Sequence, residues 1–99
     1  MSYKIIFHPD VADDFIEAVK WYEERLEGLG ERFTSHVERH IKRISNHPEH
    51  YQVKKRNFRE AKVDSFPYVI VYEFLPKEDY ILITDIFHTS RKPGKKYRK

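Results

Sequence analysis

The chain has 99 residues, of which 39% are hydrophobic, 15% aromatic and 35% charged. That length supports one core in a single domain, 1–99, and no apolar run approaches the roughly eighteen residues of a membrane span. Zero cysteines exclude disulfides, thiolate metal sites and a cysteine nucleophile. The net charge of +3 is uneven, because six positives and no acid lie between Arg91 and Lys99, leaving 13 positives against 16 negatives before them. A second basic cluster, Lys54, Lys55, Arg56 and Arg59, sits mid-chain. Such segments suit a polyanion or an acidic protein partner. Lys4 is followed by no apolar signal-peptide core, so a cytoplasmic protein without a membrane is expected.

In chain order, Tyr3 to Phe7 is rich in β-formers and reads as a short strand. His8-Pro9-Asp10 interrupts it, and proline suits the first turn of a helix. Val11, Phe15, Ala18, Tyr22 and Leu26 then recur at helical spacing, which predicts a helix over about 9–27. Gly28 ends it. A second helical pattern follows in Phe33, Val37, Ile41 and Ile44, and His47-Pro48 stops it. So short a pause predicts an antiparallel helical hairpin. Phe58–Val63 reads as a weaker strand leading into an Asp64-Ser65 turn. Phe66–Phe74 and Tyr80–Phe87 form a β-hairpin around Pro76–Asp79. The expectation is an α+β fold in the order β-α-α-β-β-β. The helices pack on one face of a small, mostly antiparallel sheet, and a basic tail covers about 88–99.

Four pieces in order carry a resemblance: Trp21-Tyr22-Glu23; Gly28-Leu29-Gly30-Glu31-Arg32-Phe33; Phe66-Pro67-Tyr68 with Tyr72; and His88, Arg91 and Pro93. The chain resembles the RelE/ParE superfamily of toxins over nearly its whole length, and its ending looks ParE-like. The resemblance implies the toxin half of a type II toxin–antitoxin (plasmid stabilisation) system, neutralised by a cognate antitoxin. ParE-like members poison DNA gyrase, whereas RelE-like members cut mRNA in the ribosomal A site. A third alternative is a degenerate module that binds an antitoxin without toxicity.

RNA cleavage by an internal 2′-hydroxyl needs a base, an acid and cations around the phosphate. By resemblance, Arg91 and Tyr97 match the terminal pair of RelE-like enzymes, and Lys62 matches one of their sheet lysines. His88 adds a side chain that can serve as acid or base. The catalytic candidates are therefore Arg59, Lys62, His88, Arg91 and Tyr97. Arg59, Arg91, Lys95, Lys96 and Arg98 are candidates for contact with the target or with nucleic acid. One position departs from the RelE-like pattern. Four residues before Tyr68, where that pattern has an arginine, stands Asp64, which would repel a phosphate.

Each candidate also has a plainer reading. His88 and Arg91 can tie the tail to the sheet, Tyr97 can be an idle tail residue, and Arg59 can pair with Glu17 or Glu24. Tyr22 belongs to the apolar stripe of the first helix. Trp21, about 100° around from it, is the candidate anchor for the antitoxin. His36 and His40 sit four apart on the second helix, a spacing that can hold zinc, but no further ligand is apparent. No metal and no cofactor are expected.

Overall fold

A computed structural model describes residues 2–90. Arg91, Lys95, Lys96, Tyr97 and Arg98 lie outside the described residues. The element order is β1 (Lys4–Phe7), α1 (Pro9–Arg25), α2 (Leu29–Asn46), β2 (Val53–Lys55), β3 (Phe58–Lys62), β4 (Tyr68–Leu75) and β5 (Tyr80–His88). The α+β expectation holds, with one added strand, the short and exposed β2. Its sequence, Val-Lys-Lys, has no alternating apolar pattern to reveal it.

The sheet runs β1-β5-β4-β3-β2. β2 to β5 form an antiparallel meander, and β1 lies parallel against β5. A bulge lies opposite the step from Val71 to Tyr72, and the Thr84 hydroxyl donates to the Val71 carbonyl there at 3.2 Å. Ser65 and Asp79 take the left-handed conformation, which closes the two turns flanking β4.

α1 starts earlier than its apolar stripe requires. His8 caps it, with Nδ1 accepting from the Asp10 N–H at 3.2 Å, and Pro9 follows in the first turn. The turn into α2 is built by one acid. Glu23 accepts from the Gly28 N–H at 2.9 Å and from the Gly30 N–H at 3.0 Å. Those amides would otherwise be orphaned at a helix start. Gly28 has φ +88, a conformation costly to a residue with Cβ, and at Gly30 the α1 backbone is so close that a Cβ would meet the Val19 carbonyl oxygen at 2.8 Å.

The core is built on rings. Tyr22, Phe33, Phe66 and Tyr68 meet with centroids 4.9–6.3 Å apart, largely edge to face or tilted. Phe66 reaches this cluster from the loop before β4, not from the strand itself. Val11, Val37, Ile44, Ile70, Ile81 and Ile83 fill the layer between helices and sheet.

Candidate functional site

An open cleft of about 610 Å³ lies between the exposed flank of α1 and the ends of β4 and β5. Its walls include Asp14, Glu17, Trp21, Tyr22, Tyr68 and His88. Helical spacing explains the α1 side. Asp14, Glu17, Ala18 and Trp21 follow at i, i+3, i+4 and i+7, so they line one stripe. The cross-strand pair Tyr68 and His88 supplies the sheet side, their rings 5.1 Å apart and edge to face.

Trp21 is 50% exposed. Its indole stands perpendicular to the Tyr22 ring at 5.2 Å, and the Arg25 guanidinium sits 3.6 Å from its centroid. Arg25 also donates to the Trp21 carbonyl at 3.3 Å. The indole is thus held in one orientation between a ring and a cation. Tyr22 is buried below it, and that burial, followed by the charge of Tyr68, raises its phenol pKa. Tyr22 therefore serves as a neutral wall.

His88 accepts from the Ser90 N–H at 3.1 Å, and the Ser90 hydroxyl lies 2.7 Å from the same Nδ1. An Nδ1 that accepts leaves the proton of the neutral ring on Nε2. The imidazole thus caps the turn after β5 while it walls the cleft.

Other candidates lie elsewhere. Lys62 pairs across the ladder with Val69, and Val69 with Phe87, whereas His88 pairs with Tyr68. Neighbouring positions alternate between faces, so Lys62 and His88 occupy opposite faces of the sheet. Arg59 does not pair with Glu17 or Glu24. Its Nη1 donates to the Tyr51 carbonyl at 2.5 Å and reaches the Glu49 carbonyl at 3.5 Å. Beside it the buried Tyr72 hydroxyl donates to the Pro48 carbonyl at 2.6 Å. Burial raises the Tyr72 pKa well above its ordinary value, against the opposing charge of Arg59, so the phenol stays a donor.

His36 and His40 bind a carboxylate that the sequence reading did not connect to them. His40 Nε2 lies 2.7 Å from Asp64 Oδ1, and His36 Nδ1 lies 3.0 Å from Oδ2. The hydrogen bond from His40 leads in holding the Asp64 pKa down, from 3.8 to about 2. Asp64 thereby ties the β3–β4 turn to α2. Among the described residues no group of three or more His, Cys, Asp or Glu is arranged to hold a metal ion.

A ring-cored helical hairpin on an antiparallel meander, with an acid-rimmed cleft beside a half-exposed tryptophan, defines a small α+β protein. The sequence matches the family described as ParE toxin of type II toxin-antitoxin system, parDE, over residues 5–93. The chain belongs to that family, and it is a ParE-like toxin of a type II toxin–antitoxin system. Membership implies an antitoxin partner. No curated protein matches it. No helix among the described residues is long and apolar enough to cross a membrane.

Proposed function

We propose that the chain poisons DNA gyrase and that its antitoxin is seated in the cleft beside Trp21. The charge of the cleft carries this reading. Among the described residues its walls include Asp14 and Glu17 but no lysine or arginine. Phosphoryl chemistry needs cations around the reacting phosphate, and two carboxylates beside His88 oppose one. Asp64, where a RelE-like toxin has an arginine, points the same way, as does Lys62 on the far face. A protein surface bears no such requirement. Antitoxin segments that fold on binding bury over ~1,200 Å², and a fixed indole beside an open cleft suits such a segment.

The test is induction in a bacterial host, followed by sequencing of RNA 5′ ends and assay of purified gyrase. The expected result is arrested growth, gyrase-dependent DNA breaks and unchanged 5′ ends, with growth restored by the antitoxin. Abundant new ends inside translated codons would instead make the chain a ribonuclease. Full growth with folded protein present would make it a binding module without toxicity.

A further inference from the structure

The last turns of α2 and the segment that follows are rich in basic residues. Residues 39–56 hold six lysines and arginines, three histidines and a single carboxylate, Glu49. Arg39, Lys42 and Arg43 stand at i, i+3 and i+4 of α2, so all three project from one flank. They form one wall of a second groove, also of about 610 Å³. The opposite wall is the loop after α2, with His47, His50 and Tyr51. That wall is fixed in place by the bonds Tyr72 makes to Pro48 and Arg59 makes to Tyr51.

Among the described residues no carboxylate lines this groove. Glu49 lines an adjoining hollow, and Asp64 is held by His36 and His40. Among the described residues Arg39, Lys42 and Arg43 form no ion pair within 4 Å. All three side chains are exposed, and the Arg39 charge also helps to lower the Asp64 pKa. His40 is buried in the groove wall, and its Nδ1 has no hydrogen-bond partner among the described residues. Rings accompany the cations, since His47 and His50 are exposed and His50 meets Tyr51 edge to face at 5.5 Å.

We infer that this groove binds single-stranded nucleic acid, with phosphates on Arg39, Lys42 and Arg43 and bases against the rings of His47, His50 and Tyr51. Cations track a backbone and flat rings receive bases, the arrangement that binds single strands with little regard to sequence or sugar. A carboxylate-rich peptide would use the cations and leave the rings idle. A duplex keeps its bases stacked inside and likewise offers the rings nothing. The inference is independent of the gyrase reading, because the groove and the Trp21 cleft share no residue among the described ones.

The test is fluorescence anisotropy of the full chain with labelled strands of about 12 nucleotides, one of uridine and one of thymidine. Both should bind, and a duplex of equal length should bind about tenfold more weakly. Salt should weaken binding with a log–log slope of about −2 for three phosphates neutralised on a single strand. Arg39→Gln with Lys42→Gln and Arg43→Gln should remove that slope and lower affinity at least ~10-fold. His50→Ala with Tyr51→Leu should lower it ~5-fold or more while leaving the slope unchanged. Unaltered thermal unfolding of the triple variant, whose three side chains are exposed, excludes misfolding. Any of three results overturns the inference: full affinity in the triple variant, binding abolished by neutralising Lys95, Lys96 and Arg98 alone, or displacement by poly-glutamate as effective as by unlabelled strand. Loss of toxicity with oligonucleotide binding intact bears on the gyrase reading alone.

Discussion

Gly30→Ala tests whether the close approach of the two helices holds the hairpin together. A Cβ built on Gly30 meets the Val19 carbonyl oxygen at 2.8 Å, Glu23 Oε1 at 3.0 Å and Val19 Cγ1 at 3.1 Å. Two effects oppose. Alanine favours a helix over glycine by up to ~1 kcal/mol, and by less in a first turn. Overpacking a tight contact costs ~1–3 kcal/mol. The upper part of that range applies, because the nearest atom belongs to the backbone of a packed helix and cannot swing aside. The displaced Glu23 also loses part of its hold on the Gly28 and Gly30 amides. The expected net loss is ~2 kcal/mol, a fall in Tm of ~8–16 °C for a chain of this size. Circular dichroism melts of the two purified proteins measure it. Val19→Ala removes the methyl at 3.1 Å but leaves the carbonyl at 2.8 Å, so the double variant should show no rescue. An unchanged or raised Tm in Gly30→Ala would refute the reasoning, and rescue by Val19→Ala would move the strain to the side chain.

Trp21→Ala should weaken the antitoxin complex by ~2 kcal/mol, about 30-fold in Kd, by titration calorimetry, and a change under twofold would remove Trp21 from the interface. Tyr72→Phe should cost ~1 kcal/mol by urea denaturation, because the Pro48 carbonyl loses its donor; no loss would mean that the hydroxyl does not hold the loop. Asp64 titrates near 3.8 in the unfolded chain and near 2 when folded, so the unfolded chain takes up the proton first as pH falls. Its contribution is complete above pH ~4 and disappears towards pH 2. Asp64→Asn should flatten the loss of stability across that window, and an unaltered profile of melting temperature against pH would remove Asp64 from the link.

Helix content was legible because burial imposes its own period. Val11, Ala18 and Tyr22 on α1, and Phe33, Val37 and Ile44 on α2, are the buried residues that gave the helical spacing. The hairpin β4–β5 was legible for the same reason, from a dense run of β-formers on each side of a proline turn. β2 was not, since an exposed edge strand buries nothing and leaves no pattern. The His8 cap and the Glu23 clamp were invisible because they depend on where backbone amides lie after folding. Trp21 and His88 were each picked out as separate letters. Their meeting in one cleft requires the β4–β5 register and the tilt of α1, which no local spacing encodes. The union of His36 and His40 with Asp64 spans 24 residues or more, and its only sequence signal was an i, i+4 histidine pair.

Most of the residues that reveal the family are occupied in building the fold. Glu23, Gly28 and Gly30 make the helix turn, Phe33, Phe66 and Tyr68 make the ring core, and His88 caps the last strand. Family membership therefore specifies the shape of the cleft more closely than its chemistry. The chemistry comes from positions outside the ring core: Asp14 and Glu17 on one flank of α1, and Arg39, Lys42 and Arg43 on one flank of α2. These place acid on one flank of the hairpin and base on another, and no described residue lines both grooves. A segment seated beside Trp21 would cover the acidic cleft and leave the basic groove open. If both proposals hold, the toxin–antitoxin complex should bind a single strand about as tightly as the toxin alone. Anisotropy measured with saturating antitoxin decides the point, and a tenfold loss would mean that the two grooves are coupled through the hairpin or covered by the same partner.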